Sequence, residues 1–159
     1  MPSVVELSHS RTYPAEVERA FDLVLPHPLP LLFDRRYAAI PPIREVRDQS
    51  GSWDQPGETR TILLADGGTM RETLTEITRG TRFGYHIDQV TGPMKPLVSS
   101  LEGAWAFEPA GTGVRITWSW SLHPRGRLGS AAMPAFRRMW QGYARQAFEN
   151  IETLVVPGS

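Results

Sequence analysis

Three side chains near the middle of the chain are of kinds that move protons or hold polar groups, and their spacing brings them together. Glu72 stands between Met70 and Leu74 in an alternating run, so period two turns its carboxyl to the same side as those apolar neighbours. A carboxylate placed there needs a cationic partner, or its pKa rises and it keeps its proton. Arg60, in the preceding run, falls on the same side and is the obvious partner. Such a pair is an ion pair anchoring the sheet, a polar anchor for a ligand carbonyl or hydroxyl, or a site where Glu72 is a catalytic acid or base. Tyr85 adds a phenol to the same side from the next run. The stretch 113-GVRITWSWSLH-123 then places Trp118 and Trp120 on one face with Val114, Ile116 and Leu122. Indoles at inward positions either fill a core or wall a pocket, and pockets for small molecules are mostly apolar and aromatic with a few polar groups.

Other chemistries lack their residues. There is no cysteine, which excludes disulfides, thiol catalysis and Cys-ligated metals. His9, His27, His86 and His123 are scattered without metal-ligand spacing, and alternation turns His86 and His123 outward, so no metal site is expected. No Gly-x-Ser-x-Gly elbow or Gly-x-Gly-x-x-Gly fingerprint is present. Gly111-Thr112-Gly113 joins two strands and is a hairpin, not a phosphate cradle, and nothing requires a cofactor. Lys+Arg and Asp+Glu both number 17, for zero formal charge, which does not favour nucleic acid as a partner. Arg125, Arg127, Arg137 and Arg138 make a modest basic patch, either a solvated helix end or a docking point for an anionic surface. The first residues lack the basic and apolar regions of a signal peptide, and no apolar run reaches the roughly 20 residues that span a bilayer. A cytoplasmic protein without stable membrane insertion is expected; the oligomeric state is left open.

The elements that must position these residues follow from periodicity. The 159 residues, 40% hydrophobic and 21% charged, suit one globular domain over 1–159. Residues 4–12 read as a strand, and Tyr13-Pro14 reads as a helix start. Val17, Ala20, Phe21, Val24 and Leu25 form that helix's buried face. Pro26, Pro28 and Pro30 end it, and a short second helix is expected over 31–38. Strands are expected at 43–49, 58–65, 69–78, 81–90, 98–109 and 113–123, joined by glycine-bearing turns as consecutive antiparallel hairpins. A long helix over 131–155 follows, with Pro134 in its first turn. Its apolar stripe runs through Met133, Phe136, Trp140, Tyr143, Ala147, Ile151 and Leu154.

This order, β-α-α-β6-α, resembles the SRPBCC superfamily of START, polyketide cyclase/dehydrase and Bet v 1-like proteins. The segment 8-SHSRTYPAEVERAFDLV-24 is similar to the family's first strand and Pro-Ala-started helix. The segment 57-GETRTILLADGGTMRETLTEI-77 is similar to its Gly, Arg, strand, turn and Glu-x-Leu pattern, and 103-GAWAFEPAGTGVRITWSWSLHP-124 to its last hairpin. The resemblance implies an α+β helix-grip fold, a seven-stranded antiparallel sheet curled around the C-terminal helix with an internal cavity. Alternation then turns Arg60, Ile62, Leu64, Met70, Glu72, Leu74, Phe83, Tyr85, Ile87, Leu101, Gly103, Trp105, Phe107, Ile116, Trp118 and Trp120 toward it. Phe136, Trp140 and Tyr143 come from the helix. Phe33 and Tyr37 close the mouth, Gly103 leaves room among the aromatics, and the Asp66-Gly67-Gly68 turn resembles the family's gate-like loop.

The resemblance implies a carrier of a small hydrophobic ligand, lipid-like or polyaromatic. Arg60, Ile62, Leu64, Glu72, Leu74, Tyr85, Ile87 and Leu101 would contact it, and a void above about 100 Å³ is needed for a drug-sized molecule. The alternatives are a polyketide cyclase or aromatase, with Glu72 or Tyr85 transferring protons and Arg60 stabilising an enolate, and a protein–protein or stress module without ligand.

Overall fold

Alternating apolar residues fold the middle of the chain into one antiparallel sheet, and the C-terminal stripe lays a long helix across it. The computed structural model describes residues 3–158. β1 (Val5–Tyr13) is followed by α1 (Val17–Val24) and α2 (Leu29–Leu32). Six strands come next: β2 (Ile43–Arg47), β3 (Thr59–Leu64), β4 (Thr69–Thr78), β5 (Arg82–Asp88), β6 (Val98–Ala110) and β7 (Gly113–Pro124). α3 (Gly126–Val155) ends the chain. The sheet order is β1-β7-β6-β5-β4-β3-β2, every pairing antiparallel. This is the seven-stranded helix-grip fold. α3 has 30 residues, about 45 Å at 1.5 Å per residue, and buries Met133, Phe136, Trp140, Tyr143, Ala147 and Ile151. Among the described residues, no helix is long and apolar enough to cross a membrane.

The helices depart from their expected bounds for local reasons. β1 runs through Tyr13, and the Ala15 N–H turns back to the Tyr13 carbonyl, so Pro14 lies in a bend and α1 starts at Val17. α2 occupies 29–32 rather than 31–38, because Pro30 in its first turn suits a helix start. Phe33 ends it in a non-helical conformation, its carbonyl accepting from the Ile43 N–H. Tyr37 is therefore not helical and bridges Ile40. α3 begins at Gly126, not Ala131, directly after Arg125, whose N–H is held by the Leu97 carbonyl. Pro134 consequently sits inside the helix rather than in its first turn.

Candidate functional site

The strand registers set the geometry of the site. Arg60 stands directly opposite Glu72 across β3 and β4, and Trp105 opposite Trp118 across β6 and β7. One row crosses four strands as Leu74, Tyr85, Gly103 and Trp120. Gly103 has no side chain to stand between its neighbours. A Cβ there would fall 2.1 Å from Tyr85 Cζ, so the Tyr85 ring lies across β6 in the space that glycine leaves. The phenol thereby reaches β7, where Trp118 Nε1 and Trp120 Nε1 donate to its oxygen at 2.8 and 2.9 Å. The room expected at Gly103 is occupied by tyrosine, not left for a ligand.

Trp118 is the hub of the aromatic cluster. Trp105 stacks on it at 5.4 Å between ring centres and Trp140 at 4.6 Å, while Phe33 lies at 5.1 Å. Phe33 also stacks on Tyr143 at 5.3 Å, and Tyr143 donates to the Pro41 carbonyl. Burial pushes the Tyr143 phenol up, so it remains a donor.

Between this cluster, α2 and β2–β5 lies a cavity. Arg60, Ile62, Leu64, Glu72, Tyr85, Ile87, Trp105, Trp118, Trp120, Phe136, Tyr143 and Phe33 all line it. Tyr37, Leu74, Leu101, Gly103 and Trp140 do not, although each was expected to. The Tyr37 ring packs on α3 where Gly142 leaves space, a Cβ at Gly142 falling 2.0 Å from it. Leu74 and Leu101 are buried in packed parts of the sheet, Gly103 is covered by Tyr85, and Trp140 lies beneath Trp118 with its Nε1 unpartnered. The Asp66–Gly68 turn also stays off the cavity. It closes on itself, Gly68 N–H to Asp66 Oδ1, and packs against Gly92.

The centre of a water-sized sphere can occupy about 80 Å³ of the cavity. That falls short of the 100 Å³ the ligand reading set as its minimum, and of the roughly 150 Å³ that admits one benzene in an engineered apolar cavity. Any ring-sized guest requires the wall to move.

The polar part of the wall is compact. Arg60 Nε donates to Glu72 Oε1 at 2.7 Å, both residues being buried at 7% and 4% exposure. The guanidinium carbon lies 3.8 Å from the centre of the Trp53 ring, a cation–π contact. Burial pushes the Glu72 carboxyl above the usual carboxylate range, and the Arg60 charge offsets only part of that. Burial likewise pushes the Tyr85 phenol up, and the Glu72 charge adds to it.

Several residues around the site were absent from those expected, among them Trp53, which packs on Arg60 and does not itself line the cavity. Trp53 sits in the loop 51-GSWDQPG-57 with a left-handed φ of +59°, a conformation a bulky residue rarely adopts. A tryptophan in so polar a loop was the available signal, because so large an apolar ring seldom stays in water. Met70 and Phe83 point inward by alternation as read. Leu29 precedes the helix expected from residue 31, Ile43 opens β2, and Ile40, Pro41 and Met94 come from short links between the long elements.

The expected basic patch is partly engaged. Arg125 donates to the Lys95 and Val98 carbonyls and Arg137 to the Glu6 carbonyl. No group of three or more metal-ligating side chains converges among the described residues.

Solved structures share this architecture at low identity. Ara h 8.0201 matches over 95% of this chain and 99% of its own, at TM-score 0.68 and 18% identity. Major latex-like protein 151 from Panax ginseng reaches TM-score 0.73 at 13% identity over 98% and 99% of the two chains. DynU16, of the dynemicin biosynthetic locus, matches at TM-score 0.63 and 14% identity over 93% of this chain and 47% of that one. At these identities the likeness is one of fold. No curated protein matches the chain in sequence. The profile of polyketide cyclase / dehydrase and lipid transport proteins matches residues 4–156. With the helix-grip sheet and the long C-terminal helix, that match makes the chain a member of this family, within the SRPBCC superfamily.

Proposed function

We propose that this chain binds and carries a small hydrophobic molecule, lipid-like or polyaromatic, in the cavity between the sheet and α3. The observation that supports it is a buried ion pair, Arg60–Glu72, in the wall of an otherwise apolar and aromatic cavity. A pair serving only to anchor strands has no need to border a void, whereas a polar anchor for a guest must. Arg60 and Glu72 would orient the guest's polar end, and Trp105, Trp118, Trp120 and Phe136 would supply its walls. Admission requires expansion beyond about 80 Å³. The movable wall is α2 with Phe33, a four-residue helix capped by Pro28, carrying Pro30 in its first turn and ending at the ring that covers Trp118. Native mass spectrometry of protein purified from its own host tests this reading. A one-to-one complex with an apolar small molecule is expected; bare protein that also takes up no naphthalene in titration contradicts it.

A second reading, an enzyme of the polyketide cyclase type, is favoured by one observation. Glu72 has a raised pKa and shares the cavity with the Tyr85 phenol, the kind of pairing that proton transfer to and from an enolised ketone uses. DynU16, a fold neighbour, comes from a biosynthetic locus. Turnover of a poly-β-ketone by Glu72→Gln and Arg60→Ala variants decides the matter, and unchanged rates exclude these roles.

A further inference from the structure

We infer that Trp118, Trp120 and Tyr85 form a one-way hydrogen-bond donor that selects guests carrying a carbonyl-type acceptor, a ketone or quinone oxygen. Guests offering only a donor, or no polar group, are disfavoured. The inference rests on the ligand-binding reading above and adds the chemical class of the guest.

An indole N–H donates and never accepts, whereas a phenol oxygen accepts through its lone pairs and donates one proton. Trp118 and Trp120 both donate to the Tyr85 oxygen, at 2.8 and 2.9 Å, and so fill its accepting positions. The proton stays on the phenol at neutral pH, because burial pushes its pKa up. Tyr85 therefore has one interaction left to make, as donor. Among the described residues it donates to nothing: Glu72, whose charge bears on the phenol, accepts from Arg60 and forms no hydrogen bond with Tyr85. A buried donor without an acceptor is costly, and this one belongs to a side chain that lines the cavity. Two indole donors also make the phenol a better donor, since hydrogen bonds to its oxygen polarise the O–H.

The arrangement depends on the chain's own sequence. Tyr85 reaches both indoles only because Gly103 lets its ring cross β6. Trp118 and Trp120 lie on the same face of β7 because they are two residues apart. A guest carbonyl completes the set without leaving any new polar group unpaired. A guest with only an N–H finds the phenol oxygen already occupied and must desolvate its donor or compete for the Glu72 carboxylate.

Three isosteric probes test this by isothermal titration calorimetry: 1-indanone (acceptor), indole (donor only) and indane (neither). The expected result is that wild-type protein binds 1-indanone about five- to tenfold more tightly than indane, the yield of one buried hydrogen bond. The bound ketone's carbonyl stretch should move to lower wavenumber. Tyr85→Phe should abolish both the preference and the shift. Trp120→Phe keeps the phenol and frees one accepting position, so it should raise the affinity for indole relative to 1-indanone; it carries the test if Tyr85→Phe does not fold. Equal wild-type affinity for 1-indanone and indane overturns the inference while leaving ligand binding standing. So does a preference that survives Tyr85→Phe, or an indole-to-indanone ratio unchanged in Trp120→Phe. If no probe binds wild-type protein, the ligand-binding reading fails, and this inference with it.

Discussion

Glu72 on β4 and Glu102 on β6 carry the same carboxyl on the same sheet, one on each face. Glu72 is buried against Arg60 in the cavity wall. Glu102 lies outside, bridging His86 at 2.8 Å and His123 at 2.7 Å across β5, β6 and β7. Burial dominates at Glu72 and pushes it up. At Glu102 partial burial is the largest single influence and also pushes up, but the hydrogen bonds from His123 and His86 together outweigh it and hold the carboxyl below its usual range. Each cluster is built by strand alternation, and the solvent on each side makes them opposite in character. On the inside a carboxylate is costly and must have a reason to be there; on the outside it is a surface bridge, half-exposed and screened.

The comparison breaks first at Arg60. Arg60→Ala leaves Glu72 buried without its cation and should lower stability by about 3–5 kcal/mol near neutral pH, measured by urea unfolding. The loss should shrink in acid, where Glu72 is protonated. Replacing both partners by apolar residues, Arg60→Met with Glu72→Leu, should be within about 1 kcal/mol of wild type or better. A large loss in that double variant would make the pair structural and weaken the case for a binding role.

Gly103→Ala sharpens the inner cluster alone. Its methyl meets the Tyr85 ring, and displacing that ring should cost about 1–3 kcal/mol. The Trp118 and Trp120 indole N–H resonances should shift together in NMR spectra, since both lose the same acceptor. Unshifted resonances would mean that Tyr85 does not depend on the glycine.

On the outer face Glu102→Gln should change stability by less than about 1 kcal/mol. The pH dependence separates the faces by sign. Glu72 has a raised folded pKa, so the native state binds its proton more tightly than the unfolded chain. Its contribution is greatest below the ordinary carboxylate value, roughly 4.3, and is lost as pH rises from there through the raised one. Glu102 has a lowered folded pKa, so its contribution is present above roughly 4.3 and is lost as pH falls through the lowered one. Stability–pH curves of Glu72→Gln and Glu102→Gln should therefore depart from wild type in opposite directions.

Much of this is legible in the sequence. Strand alternation and glycine-bearing turns dictate the sheet, and the stripe from Met133 to Leu154 gives the helix that covers it. The Arg60–Glu72 pair could be read because both residues sit at inward positions of neighbouring strands. What could not be read depends on how far a side chain reaches. Tyr85 crosses a neighbouring strand to fill the place of Gly103, so the gap expected to leave room holds protein, and Tyr37, expected at the mouth, packs instead into the place of Gly142. Trp53 was missed because its loop has no period, and Ile40 and Pro41, in the link before β2, for the same reason. Cavity size depends on such small displacements, which patterning does not encode.

If a guest binds in the cavity beside Arg60 and Glu72, as proposed, filling that cavity should abolish binding. Ile62 lines the cavity from β3, and Ile62→Phe adds a ring at that wall. Tryptophan-fluorescence titration with naphthalene should show saturable one-to-one quenching in wild-type protein, and none in an Ile62→Phe variant that still unfolds cooperatively. Equal binding by the two proteins would place the guest elsewhere and contradict the account.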